Sequence, residues 1–69
     1  MRVLDRKAVG AAITRARENA GMTISALADA ADVDVRVVES YERGETIASP
    51  GFLRILDVLG ISPAELFGD

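Results

Sequence analysis

Cysteine, histidine and tryptophan are absent from this chain of 69 residues. Without thiols there are no disulfides and no thiolate nucleophile, and without imidazole the commonest acid/base group is missing. The same absences remove the usual zinc ligands, so neither a metal nor a cofactor is expected. Aromatic residues are scarce: Tyr41, Phe52 and Phe67 are all there are. No apolar run approaches the ~18 residues of a membrane span. Met1 to Lys7 carry charge without a following apolar core, which is not the pattern of a signal peptide. These exclusions argue against an enzyme and point to a cytoplasmic binding module with no membrane partner.

What is present is apolar and helical. Hydrophobic residues make up 49% of the chain, too many for a disordered segment. The length allows one domain, residues 1–69, with a core expected at about 6–67. A domain of this size hides only about 60% of the surface its unfolded chain exposes. Well-capped helices therefore carry much of the burden of stability.

The spacing of apolar residues predicts an all-α chain of five short helices. The first runs from about Arg6 to Ala20, with Val9, Ala12, Ile13, Ala16 and Ala20 on one face and Gly21 as the stop. Gly10 inside it costs up to about 1 kcal/mol relative to Ala, so another backbone is expected to pass close by. Thr23 reads as the N-cap of a second helix, Ile24 to Ala31, with Met22 and Leu27 as a hydrophobic staple. Asp34 reads as the N-cap of a third, running to about Arg43, with Val33 and Val38 as staple, Tyr41 buried and Gly44 at its end. Ser49-Pro50 opens a fourth, whose apolar face is Phe52, Ile55, Leu56 and Leu59, and Gly60 stops it. Ser62-Pro63-Ala64-Glu65 is a capping box for the fifth, stapled by Ile61 and Leu66.

Charge is unevenly distributed. Residues 1–21 hold five basic and two acidic residues, a local charge of +3. Residues 22–42 hold only Arg36 against Asp29, Asp32, Asp34, Glu39 and Glu42, a local charge of −4. The remainder is at −2, and the whole chain at −3.

Two short helices joined by a three-residue turn suggest a helix-turn-helix, although any small helical bundle contains such a pair. The residues are more specific than the spacing. The string Gly10-x-x-Ile13-x-x-x-Arg17-x-x-x-Gly21-Met22-Thr23 resembles the first helix of the Cro/cI-type (xenobiotic-response-element type) helix-turn-helix family. Leu27-Ala28 with Val33-Asp34 is similar to the family's second helix and turn. Ser40-Tyr41-Glu42-Arg43-Gly44 is similar to the end of its third helix, and Leu59-Gly60-Ile61-Ser62-x-x-Glu65-Leu66 to its closing segment. The pieces occur in order over residues 8–67.

The resemblance implies a compact, lambda-repressor-like five-helix bundle whose third helix enters the major groove of double-stranded DNA. It implies a structural ion pair between Arg17 and Glu42. It implies DNA contacts from Thr23 and Ile24 at the start of the second helix, and from Val35, Arg36, Glu39 and Ser40 on the third. Arg36 has the fork for guanine O6 and N7, Glu39 the acceptor for cytosine N4, and Val35 the methyls for thymine. Arg43 and the backbone amides of Glu45 and Thr46 are placed for phosphates, and Arg2, Arg6, Lys7 and Arg15 for a supporting approach to the backbone. The implied function is a sequence-specific transcriptional regulator that blocks polymerase as a repressor or recruits it, acting as a homodimer or with a protein partner.

The chain departs from the family pattern in four respects. Ile24 stands where Gln is common, and Asp32 where the turn usually has Gly. The stretch from Gly44 to the Leu59-Gly60 pair is about one residue shorter than usual, with the family's proline displaced to Pro50. The helix-turn-helix segment is acidic, whereas DNA binding normally rests on Lys and Arg. A rival reading follows: a protein-binding module on the same fold, contacting a partner through an apolar patch of Ile24, Val35 and Val37. DNA binding that falls steeply with salt separates the two.

Overall fold

The computed structural model describes residues 5–45 and 50–67. Among them are five helices and no strand: α1 (Arg6–Asn19), α2 (Ile24–Ala31), α3 (Val35–Glu42), α4 (Pro50–Leu59) and α5 (Pro63–Phe67). Arg2, Thr46 and the cap expected at Ser49 lie outside the described residues.

The starts of α1, α2 and α3 are each set by a side chain that accepts an otherwise unpaired helix N–H. Thr23 Oγ1 accepts from Ala26 N–H at 3.0 Å and Asp34 Oδ1 from Arg36 N–H at 2.8 Å. Asp5 does the same for α1, accepting from Ala8 N–H at 2.8 Å. The capping box of α5 is closed by the Ser62 N–H donating to Glu65 Oε2 at 2.9 Å.

The ends of α1 to α4 share one device. The chain turns through a left-handed residue, and the next N–H returns to a carbonyl five residues back. Met22 N–H thus reaches the Arg17 carbonyl, Val33 that of Ala28, Glu45 that of Ser40, and Ile61 that of Leu56. Three of the left-handed residues are glycines, and the fourth is Asp32, with φ 58° and ψ 48°. Aspartate tolerates this conformation better than most L-residues, so the α2–α3 turn keeps its geometry without the usual glycine.

The core is formed by Val9 and Ile13 of α1, Leu27, Ala28 and Ala31 of α2, Val38 and Tyr41 of α3, Phe52, Ile55 and Leu56 of α4, and Leu66 of α5. The rings of Tyr41 and Phe52 meet at 5.2 Å between centroids, tilted by 44°. Helix α3 packs against α1, α2 and α4. Gly10 lies where α1 crosses the end of α3: a Cβ there would sit 2.5 Å from the Tyr41 carbonyl oxygen and 2.8 Å from that of Glu42. Two boundaries differ from the sequence expectation. Ala20 and Arg43 are C-caps rather than helical residues, and Ala20, expected on the buried face, is exposed because the chain is already turning away there.

Candidate nucleic-acid interface

Helix α3 presents two faces because its residues recur every 3.6 positions. Val38 and Tyr41, three apart, face inward and are fully buried. This leaves Arg36 turned to solvent, its side chain at 87% exposure, while Val35, on the spacing of Val38, is exposed only because it stands in the open first turn. Glu39 and Ser40, one turn further on, are half-buried. Thr23 is exposed and its hydroxyl is already engaged as the cap of α2.

Two elements of the expected surface are altered. Ile24 and Val37 are partly buried and pack against the core, so neither belongs to a free apolar patch. The geometric reason is that each lies on a flank of its helix, next to the buried stripe. Of the three residues in that patch, only Val35 is exposed. Arg36 points outward, and its Nε lies 3.4 Å from the Oδ1 of its own cap, Asp34.

The carboxyl of Asp34 is held below its ordinary value, chiefly by the Arg36 backbone N–H and then by the Arg36 side chain. At the other end of α3, Arg43 Nε and Nη2 grip Glu45 Oε2 and Oε1 at 3.0 and 3.1 Å. That pair raises the Arg43 guanidinium and lowers the Glu45 carboxyl, with a smaller contribution to Glu45 from the Ser40 hydroxyl.

A second guanidinium fork holds the scaffold behind α3. Arg17 Nε donates to Glu42 Oε2 at 2.7 Å and Nη2 to Oε1 at 3.2 Å. Its Nη1 donates to the Met22 carbonyl at 2.8 Å. Only 13% of the Arg17 side chain and 10% of that of Glu42 are exposed. One side chain therefore ties α1, the α1–α2 turn and the end of α3 together. The Arg17 guanidinium is raised, first by its hydrogen bond to Glu42.

Three features escaped the sequence reading. The Asp5 cap was visible in principle, because Asp stands immediately before the first periodic residue. The Arg43–Glu45 fork left no local signal, since residues two apart meet only where the helix has ended. Arg54 of α4 donates from Nε to the carbonyl of Ala31, the last residue of α2, at 2.9 Å. It satisfies a helix-end carbonyl and places a cation at the negative end of the α2 dipole. Its partner lies 23 residues away in sequence, beyond the reach of any local pattern.

The arrangement is a packed α2–turn–α3 unit, buttressed by α1 and α4, with the first turn of α3 exposed. The model of the helix-turn-helix domain family matches residues 8–66. The chain belongs to that family. The solved structure of the clp gene regulator ClgR from C. glutamicum is similar to this helix-turn-helix domain, with 33% identity and a TM-score of 0.78, covering 94% of this chain and 85% of that one. A second structure of ClgR from Corynebacterium glutamicum shares 35% identity, with a TM-score of 0.77 over 90% of this chain and 67% of its own. No curated protein matches the sequence.

Proposed function

We propose that this helix-turn-helix domain binds operator DNA as part of a transcription regulator, with α3 docked in the major groove. The observation that carries the reading is the exposed first turn of α3, held on a scaffold shared with a gene regulator. Arg36 is the principal base reader, reaching guanine O6 and N7 after leaving Asp34. Val35 adds contact with a thymine methyl, Glu39 accepts from cytosine N4, and Ser40 supports them from the next turn. Thr23 and Ile24 approach the backbone at the start of α2, where helix N–H groups favour phosphate. Arg43 and the Glu45 amide hold phosphate at the far end. Repression follows from occupancy: a domain seated on the operator excludes polymerase. As a homodimer it would span half-sites about 34 Å apart. This role places the protein in the cytoplasm with DNA, and it requires no catalysis.

Selection from a random-sequence duplex pool tests the reading. An enriched motif is expected, with affinity falling steeply as salt rises. Arg36→Ala should cost about 1–3 kcal/mol of binding and relax preference at one base pair per half-site. A pool without enrichment, together with a protein contact abolished by Arg36→Ala and Val35→Asp, would establish the protein-binding module instead.

A further inference from the structure

The arginines at the two ends of α3, Arg36 in its first turn and Arg43 at its C-cap, each meet a carboxylate of their own chain. Arg43 is held by both oxygens of Glu45, at 3.0 and 3.1 Å. Arg36 leans on Asp34 Oδ1 at 3.4 Å, the same oxygen that accepts the Arg36 backbone N–H at 2.8 Å. A carboxylate offers a guanidinium the same kind of forked, anionic acceptor as a phosphate. The two pairs stand at opposite ends of an eight-residue helix. They bracket the surface that the DNA reading assigns to the major groove.

We propose that Asp34 and Glu45 are internal competitors for DNA: they occupy the two arginines in the free protein and must be displaced before Arg36 and Arg43 can reach the duplex. The inference rests on the DNA-binding reading. Neither carboxylate is demanded by packing, since the side chains of Asp34 and Glu45 remain 58% and 56% exposed. Each instead meets an arginine at one end of α3. Asp29, by contrast, is an exposed carboxylate of α2 that enters no ion pair among the described residues. The exposed carboxylates in and beside the helix-turn-helix thus include bulk charge, at Asp29 and Asp32, and charge aimed at a specific guanidinium, at Asp34 and Glu45.

Displacement has a thermodynamic signature. When Arg43 moves to phosphate, Glu45 is left bare and takes up a cation from solution. That uptake offsets part of the counterion release that drives binding. Removing the carboxylate should therefore tighten binding and steepen its salt dependence together.

The test is a titration of the chain, as wild type and as Asp34→Asn, Glu45→Gln and Asp29→Asn, against a selected duplex and a random-sequence duplex at two salt concentrations. Asparagine caps a helix as well as aspartate, so Asp34→Asn removes the charge and keeps the cap. Asp34→Asn and Glu45→Gln are each expected to lower Kd by about two- to fivefold, the range that an exposed ion pair spans. Their salt slopes should steepen by up to about one unit. Asp29→Asn should do distinctly less of both. In an Arg43→Ala background the gain from Glu45→Gln should vanish, because no guanidinium remains to be released. Unchanged affinity in Asp34→Asn and Glu45→Gln, or an equal gain in Asp29→Asn, would overturn the competition while leaving DNA binding intact. Absence of binding to any duplex by wild type and variants alike would overturn the DNA reading and this inference with it.

Discussion

Arg17 reaches three oxygens on two other parts of the chain, and that economy makes it a sensitive residue. Breaking a buried ion pair by removing one partner costs about 3–5 kcal/mol, because the other charge is stranded. Here about a tenth of each side chain stays in contact with water, and Arg17 would keep the Met22 carbonyl. Glu42→Ala is therefore expected to destabilise the domain by about 2 kcal/mol, read from chemical denaturation. A double-mutant cycle with Arg17→Ala should show clear coupling, and its absence would refute the role given to the pair. Gly10 makes the opposite point about local propensity. In an open helix, Gly→Ala would gain up to about 1 kcal/mol. Here the added methyl would lie 2.5 Å from the Tyr41 carbonyl oxygen, backbone that cannot rotate away. Overpacking of this kind costs about 1–3 kcal/mol, so Gly10→Ala should lower the melting temperature.

At the scale of the element, the α2–α3 turn is held from three sides. Thr23 and Asp34 fix where the helices begin, Asp32 turns the chain between them, and Arg54 reaches across from α4 to the end of α2. Asp32 carries the conformational cost of an L-residue at φ 58°, and its side chain enters no ion pair among the described residues. Asp32→Gly is expected to raise stability by up to about 1 kcal/mol, since glycine adopts the left-handed region freely. A lower melting temperature in that variant would mean that Asp32 contributes something beyond tolerating the turn. The carboxylates at the two ends of α3 also make the element sensitive to pH. Asp34 and Glu45 have carboxyl pKa values below their ordinary 3.8 and 4.5 in the folded chain. Folding thus favours their ionised forms. The resulting stability is present in full above the ordinary values and is lost as pH falls through the lowered ones. Thermal melts should show a midpoint that declines once pH drops below about 4.5, with Asp34→Asn declining less steeply.

Across the whole molecule, charge is arranged by helix rather than by overall balance. The net charge of −3 conceals a basic first segment and an acidic helix-turn-helix. Arg6, Lys7 and Arg15 of α1 are exposed, and Lys7 passes close to Gly44, its Cα 3.0 Å from where a Cβ would be. The basic start of α1 is thereby carried next to Arg43 and the end of α3, which places positive charge beside the surface assigned to DNA. A steep salt dependence and a net negative charge are compatible in this domain because binding depends on the local distribution of charge.

The elements of this protein were legible in its sequence because helix starts, stops and buried faces are local properties. Thr23, Asp34 and Glu65 cap where they stand, Gly21 and Gly60 turn the chain where they stand, and the spacing of Val38 and Tyr41 determined which side of α3 is inward. Gly10 even announced a close crossing, although it did not say by what. The tertiary structure alone decided the partnering of distant groups. Arg54 finds the end of α2, 23 residues away, because only the packed helices bring that carbonyl within reach, whereas Arg36 and Arg43 turn back to Asp34 and Glu45, two residues away in sequence. The apolar flanks of Ile24 and Val37 followed the same rule. Residues beside a buried stripe are covered or exposed according to the angle at which the next helix crosses, and that angle is a property of the assembled bundle.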